Sequence, residues 1–492
     1  MDFPSHFSTE RLRNNPRDFY SHRIAKWYSK NAPTWLLGKY NDYSHFIELH
    51  DGKTTFSTPK PSDVTIAPYR IIFTSLYYSD QAKSISTGLK KLKNKYAQRF
   101  ELRRDQDYYE GIVNSASRHD GRLRTNIGWL DLNNTHVSKY FSNAFIDVAV
   151  YGTSFIAITA SAIPSGRYKY EYRRALEDNS GDWVAAKFSA RRPFSPQYTA
   201  YPDSYVRNYR INQLSQVSAT ILSKFLFSYL PASITGKSIW PRLEVLRIKD
   251  LQNADSLSHR FWSEHDIPTS RTIAYHGPGY FFTEPRQQVG KTSMSAFRMT
   301  IIDEEFISDT DFRSSDSIDD AINFKLHYSL PGLSTFMSLL IQLNRVDNHL
   351  NRIAATFLNT QGPKLSGRIS IKRIHAMSYR LHLMKNGIHE KILQRTLGTV
   401  FGNSMFDTKE YESGPISSEW ISLANDRIER LYSKSQSLYE TNRQRFDLTM
   451  TRAVIIFTLI NTLMLFVQIA IGIDPGIIDR IKSALQSILL YN

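Results

Sequence analysis

Residues 453–473 read AVIIFTLINTLMLFVQIAIGI and contain no charged side chain. A helix of this length rises about 32 Å, close to the hydrocarbon thickness of a bilayer. Thirteen of its residues are Val, Ile, Leu or Phe, and together they favour insertion by roughly 4–8 kcal/mol. Asn461 and Gln468 oppose insertion, but each is uncharged and costs less than a charge would. The stretch therefore predicts a transmembrane helix, and the alternative is a buried helix of a soluble core.

Polar residues inside this stretch fall near one side of the predicted helix. They are Thr458, Asn461, Thr462 and Gln468. Polar side chains within a membrane helix tend to face other helices or water. We therefore expect them either to form hydrogen bonds between the helices of an oligomer or to line a pore.

The segments around the stretch are also helical in pattern. Residues 417–452 hold no helix breaker and predict a stalk helix that continues into the span without interruption. Its heptad-like spacing at Ala424, Leu431 and Leu438 indicates a coiled coil only weakly. Residues 474–492 begin with Asp-Pro-Gly and continue with an amphipathic pattern, which is typical of a helix lying in the membrane interface.

The remaining chain predicts an α+β protein in which mixed strands and helices come first and long helices follow. Residues 1–45 mix aromatic and basic side chains and predict a helical cap, although the same mixture also suits single-stranded nucleic acid. Residues 46–330 carry short β-like runs and predict a cytosolic α+β domain, and 331–416 predict a helical domain.

Two local predictions in the α+β domain rest on turn-forming residues. Residues 141–172 predict a hairpin that turns at Pro164-Ser165-Gly166, with Tyr168, Tyr170 and Tyr172 alternating along its second strand. The prolines that follow predict a loop or linker. They are Pro193, Pro196 and Pro202.

Composition narrows the partners and the chemistry. The chain has 62 Lys and Arg against 46 Asp and Glu, a formal charge of +16, which favours an anionic partner such as a lipid surface, a nucleic acid or a nucleotide. Alternatively, the excess basic residues are solvated on the surface and bind no anionic partner. Because there is no cysteine, disulfides, thiol catalysis and cysteine-bound metal centres are excluded.

Two clusters of charge are candidate ligand sites. Paired arginines suit phosphate oxygens and predict a phosphate or nucleotide site, or else an exposed strand with solvated charges. They are Arg173, Arg174, Arg191 and Arg192. The acidic stretch from Asp303 to Asp320 predicts either a divalent-cation site or a charge-balancing loop, because it lacks EF-hand spacing.

No arrangement of a nucleophile and a base can be found in the sequence, so we assign no catalytic residue and expect a protein that is not an enzyme. A membrane-anchored enzyme in residues 45–310 and a membrane-tethered scaffold for nucleic acid or proteins stay open as alternatives. The first residues, MDFPSHFSTE, contain no apolar signal segment. Arg443, Arg445 and Arg452 precede the span and favour a cytosolic location for the bulk of a single-pass, oligomeric protein.

A cytosolic α+β domain followed by long helices, a stalk and a C-terminal membrane helix resembles the CorA class of divalent-cation channels. The resemblance covers roughly residues 333–492, where Gly472-Ile473-Asp474 stands in the place of the family's Gly-Met-Asn signature. A divergent branch, the CorA-like membrane effectors associated with prokaryotic defence, is more similar in layout. That resemblance implies an oligomeric pore with a cytosolic sensor for a nucleotide messenger.

Overall fold

The computed structural model describes residues 19–21, 60–61, 64–97, 106–118, 122–177, 183–189, 192–201, 203–250, 261–262, 265, 267–269, 274–277, 280–283, 296–304, 317–359, 378–379, 381–382, 413–473 and 476–489. The chain divides into two compact units. The sheet unit comprises Met1–Asp347 and Leu383–Glu429, and the helical unit comprises Asn348–His382 and Arg430–Asn492. The α+β class is confirmed by strands and helices that both contribute extensively to the described chain.

The described strands are β1 Phe19–Ser21, β2 Thr65–Tyr77, β3 Arg122–Asp131, β4 Phe141–Tyr151, β5 Phe155–Pro164, β6 Trp183–Ser189, β7 Arg192–Tyr201, β8 Arg242–Lys249, β9 Ala274–Gly277, β10 Tyr280–Thr283 and β11 Ala296–Ile302. The described α-helices are α1 Ala82–Tyr96, α2 Gln106–Ser117, α3 Gly166–Glu177, α4 Asp203–Phe227, α5 Ile318–Asn359, α6 Ser413–Ile473 and α7 Ile477–Leu489. A short 3₁₀ helix, Ser79–Gln81, precedes α1.

Eight of the strands form one sheet in the order β3-β4-β5-β2-β8-β11-β10-β9. Its described pairs are antiparallel except β8 with β11, which is parallel. Strand β2 lies inside the sheet, and its residues 70–77 are all buried. Both faces of a strand buried in this way are covered, which explains why its sequence is a continuous apolar run and not an alternation.

One face of the sheet carries the main apolar core, to which α1, α2, α3 and α4 contribute. Phe73 of β2 contacts Phe141 of β4 edge to face, with ring centroids 5.6 Å apart. Phe141 in turn stacks on Tyr168 of α3 at 6.0 Å. Aromatic contacts of this kind therefore connect strands to a helix across the core.

The opposite face of the sheet packs on α5 and is more polar. Thr74 of β2 shares a buried hydrogen bond of 2.7 Å with Ser334 of α5. Nearer the start of α5, the Arg70 guanidinium donates to Asn323 Oδ1 at 2.7 Å, and Arg247 pairs with Asp319. Side-chain hydrogen bonds and an ion pair thus position α5 on the sheet.

The hairpin predicted around Pro164-Ser165-Gly166 is wrong in its second half. The chain turns earlier, between β4 and β5, where Gly152 has a φ of 53°, and α3 begins at Gly166. Tyr168 and Tyr172 are buried while Tyr170 is 65% exposed. An i, i+4 pair lies on one side of a helix, so this tyrosine pattern fits a helix as well as a strand. The Ser165 hydroxyl completes the helix start by accepting the Tyr168 N–H at 3.2 Å.

The loop predicted at the prolines is also wrong, because Pro193 and Pro196 lie within β7. The described strands β1, β6 and β7 form a second sheet in the order β1-β6-β7, which places β7 at an edge. An edge strand tolerates proline because one side of it needs no ladder hydrogen bonds. Within the predicted helical cap 1–45, the described residues Phe19–Ser21 are a strand, and the rest lies outside the described residues.

The long helices α5 and α6 contribute residues to both units. The predicted continuity from the stalk into the span is confirmed, since α6 is one helix of 61 residues, about 90 Å long. The boundary predicted at 330/331 falls inside α5. Within the helical unit, Lys434 of α6 donates to Asn351 of α5 at 2.5 Å. Of the predicted helical domain, most of residues 360–412 lie outside the described residues.

Candidate functional site

The C-terminal third of α6 is the candidate site, because it is apolar and uncovered. Among the described residues, Met450–Ile469 is the segment long and apolar enough to cross a membrane, with a mean hydropathy of 1.9 and none of it buried. Its large apolar side chains, such as Phe457, Leu463 and Phe466, are 67–68% exposed. Exposing apolar surface to water costs a free energy of roughly 25 cal/mol per Å². This surface is therefore more stable in an apolar environment than in water.

The threonines of the predicted polar stripe bond within their own helix. The Thr458 hydroxyl donates to the Val454 carbonyl at 2.9 Å, and the Thr462 hydroxyl donates to the Thr458 carbonyl at 2.8 Å. Back-bonding of this kind satisfies a hydroxyl without another helix. Both threonines can therefore enter a bilayer at little cost.

The two carboxamides of the stripe differ from the threonines in their hydrogen bonding. Asn461 and Gln468 are exposed, and neither side chain makes a hydrogen bond to another group in the described part of the chain. They are seven residues apart, which is close to two helical turns, so both lie on the same side of α6 about 10 Å apart along its axis. A carboxamide without a partner in hydrocarbon costs several kcal/mol. If α6 enters a bilayer, these two residues therefore require a partner.

The four predicted ligand arginines are only partly placed by the structure. Arg173 and Arg174 are exposed on α3, Arg192 is the first residue of β7 and its side chain is not described, and Arg191 lies outside the described residues. Burial lowers the pKa of Arg210, on α4, and the positive charge of Arg174 lowers it further. Arg174 and Arg210 therefore concentrate positive charge between α3 and α4.

The described part of the acidic stretch forms ion pairs. Arg247 holds Asp303 through two hydrogen bonds of 2.6 and 2.8 Å and also pairs with Asp319. Glu304 accepts the backbone N–H of Asp250 at 2.8 Å. Among the described residues no group of acidic or histidine side chains is arranged to hold a metal ion. These contacts favour the charge-balancing alternative over the divalent-cation site.

A buried ionic cluster that sequence reasoning missed lies on the core face of β8. Glu244 lies between Arg242, at 2.9 Å, and Arg298, at 3.2 Å. Burial raises the pKa of Glu244, but the two arginines together lower it to below its usual range. A carboxylate held ionised in this way does not exchange protons near neutral pH, so the cluster suits a structural role better than acid–base catalysis. The sequence RLEVLRIK around Glu244 does not predict the pairing of Glu244 with Arg298, because Arg298 lies 54 residues away in sequence.

Comparison of the chain with known protein families and with curated proteins gives no match. The geometry of α6 and of the sheet unit is therefore the basis of the function proposed below.

Proposed function

We propose that the protein is an oligomeric membrane protein in which α6 crosses the bilayer and the sheet unit stays in the cytosol. The observation that carries this proposal is the uncovered apolar segment Met450–Ile469. Twenty residues span about 30 Å of hydrocarbon, and the amphipathic helix α7 that follows suits the membrane interface.

Association of copies through α6 is supported by the two carboxamides. Asn461 and Gln468 lie on one side of the helix, so an identical helix can meet both at once with reciprocal amide hydrogen bonds. Such bonds between membrane helices contribute about 1–2 kcal/mol in model peptides and somewhat less in a folded membrane protein. Association through both residues should then be strengthened about tenfold or more.

A pore is the specific function that this arrangement favours. The resemblance to CorA-like effectors implies an oligomeric pore. In a ring of several copies, the side of α6 that carries the carboxamides would border both the neighbouring helices and the lumen. The sheet unit would act as the sensor. The net charge of +16 and the positive charge shared by Arg174 and Arg210 support an anionic ligand, such as a nucleotide, at that unit.

The test measures association and leakage together. Full-length protein is reconstituted into dye-loaded liposomes with and without a cytosolic nucleotide extract, and its oligomers are trapped by chemical cross-linking. Asn461→Leu combined with Gln468→Leu should reduce cross-linked oligomer about tenfold and change the extract-dependent leakage. The matched control is Thr458→Val combined with Thr462→Val, which removes hydroxyls that already bond within α6 and should change neither.

Each outcome decides between functions. Cross-linked oligomer in vesicles that stay sealed under every condition would replace the pore with a membrane-tethered scaffold. Oligomer that is unchanged by the carboxamide substitutions would reject Asn461 and Gln468 as the contact. Protein that washes off the vesicles would reject the membrane anchor itself.

A further inference from the structure

A polar cavity lies within the sheet unit, between the end of the sheet and α5. It is lined by Arg124 of β3, Asp147 and Tyr151 of β4, Thr159 of β5, and Pro331 and Thr335 of α5, among others. It holds about 480 Å³ of empty space, part of it continuous with solvent. A water molecule can place its centre within about 30 Å³ of this space, which is room for roughly two waters.

The sequence of α5 explains why the cavity is there. Pro331 lies inside the helix, where a proline removes one backbone hydrogen bond and bends the helix. Gly332 follows and has no side chain to fill the space. The Thr335 hydroxyl turns back to the Pro331 carbonyl at 2.7 Å, so its oxygen keeps lone pairs for a further donor.

Asp147 supplies a buried negative charge to the lining of the cavity. The residue is only 5% exposed, and its Oδ1 atom accepts no hydrogen bond from any described group. Its other carboxylate oxygen, Oδ2, lies 3.8 Å from the Arg124 guanidinium. A buried carboxylate oxygen without a donor is unfavourable, so the site is best completed by a ligand that brings N–H donors.

The raised pKa of Asp147 is consistent with a buried carboxylate that lacks hydrogen-bond donors on one oxygen. Burial raises it to about 6, and the positive charge of Arg124 opposes that rise. A bound cation would stabilise the ionised form and lower this pKa. Ligand binding and ionisation of Asp147 should therefore favour each other.

The shape and the charges together select a class of ligand. An ammonium group and the carbon that bears it occupy about the volume of two waters, which is the room that the cavity offers to water-sized groups. The side chain of Arg124 is 36% exposed, and its positive charge attracts a carboxylate and disfavours a second cation. We propose that this cavity binds a small α-amino acid, with its ammonium group at Asp147 Oδ1 and its carboxylate towards Arg124.

Binding is tested by the thermal stability of the full-length protein in detergent micelles. Glycine, methylammonium and acetate are titrated at equal ionic strength, well above pH 6. Glycine should raise Tm by about 2–4 °C once its concentration exceeds a dissociation constant several-fold. Methylammonium carries the ammonium group alone and should act only at about tenfold higher concentration, and acetate should not act. Well below pH 6, where Asp147 is protonated, the glycine effect should disappear.

Three variants locate the binding. Asp147→Asn removes the negative charge but keeps the shape, and Ala149→Val fills the cavity while the carboxylate stays. Both should abolish the glycine effect, so the proposal stays testable if one of them fails to fold. The matched control is Asp131→Asn, at the end of β3 and outside the cavity lining, which should respond to glycine as the wild type does.

Several results would overturn the proposal. They are no glycine effect on the wild type, an effect that survives in Asp147→Asn or Ala149→Val, and an equal effect of acetate. Methylammonium acting at the same concentration as glycine would reject the amino acid. None of these readouts depends on α6. A negative result for glycine binding is therefore distinguishable from a negative result for the pore.

Discussion

Two long helices of this protein carry apolar segments of similar composition, and only one of them is covered. In α5, Leu333, Phe336 and Leu340 are at most 1% exposed. In α6, Phe457, Leu463 and Phe466 are 67–68% exposed. Apolar residues alone therefore do not separate a core helix from a candidate membrane helix.

The two helices differ in the hydrogen-bond partners of their polar residues. Ser334 of α5 shares a hydrogen bond with Thr74 of the sheet, so it has a partner from another element. Thr458 and Thr462 of α6 bond within their own helix. A core helix is positioned by polar contacts to its neighbours, whereas a membrane helix must satisfy its polar groups internally or with a second helix.

The largest effect is expected from truncating the same residue type in each helix. Phe336→Ala should lower the free energy of unfolding of the sheet unit by about 3–5 kcal/mol, because it removes a buried ring and leaves a cavity. Phe466→Ala should leave that free energy within about 0.5 kcal/mol of the wild type, because the ring is exposed. Urea unfolding in detergent, followed by tryptophan fluorescence, measures both. Equal losses from the two variants would contradict the distinction between covered and uncovered helices.

A charge in the uncovered segment should affect insertion instead. Leu463→Arg should disfavour membrane insertion by about 2.5–3.5 kcal/mol, which lowers the equilibrium constant for insertion roughly a hundredfold. The matched control is Leu448→Arg, also an exposed residue of α6 but upstream of the candidate span, and it should insert almost normally. The ratio of protein that resists alkaline extraction from membranes to protein that is extracted measures this constant. A Leu463→Arg protein that resists extraction as the wild type does would mean that α6 does not cross the bilayer.

The covering of the sheet by α5 should also appear in the pH dependence of stability. Burial raises the pKa of Asp147 to about 6, so the folded state binds a proton more tightly than the unfolded state. The stabilisation is complete below the unfolded pKa near 4 and is lost as pH rises through 6, by at most about 3 kcal/mol. Asp147→Asn should remove this part of the pH dependence in urea unfolding, while Asp131→Asn keeps it. A wild-type stability that rises between pH 4 and pH 6, with the same slope in Asp147→Asn, would mean that α5 does not bury this carboxyl.

The sequence predicts features that depend on local pattern and misses those that depend on distant contacts. The long apolar helix near the C-terminus is predictable because its residues are apolar without a break. Asp147 was not found, because the run FIDVAV reads as a buried strand. Its neighbours are set by the register of β4 on β3 and β5 and by the position of Pro331, more than 180 residues away in sequence. Asn461 and Gln468 belong to the polar stripe that the sequence predicts. Only the structure shows that the threonines of the stripe bond within α6 while these two carboxamides do not.

Helix α3 shows how a local pattern can mislead, and it leads to the smallest predicted effect. Tyrosines at 168, 170 and 172 fit a strand by their alternation, and Tyr168 with Tyr172 fits a helix by its i, i+4 spacing. What favours the helix is its covered side and its start at Ser165. The Ser165 hydroxyl accepts the Tyr168 N–H and also donates to the Lys139 carbonyl at 2.8 Å.

Ser165→Ala should therefore lower the free energy of unfolding by about 0.5–2 kcal/mol, the usual cost of removing a helix N-cap. The same substitution at Ser117, an exposed residue at the end of α2 whose hydroxyl donates to the nearby Asn114 carbonyl, should cost less than about 0.5 kcal/mol. Urea midpoints of the two variants make the comparison. A strand at 166–177 would need no capping hydroxyl, so equal midpoints would favour the hairpin over the helix.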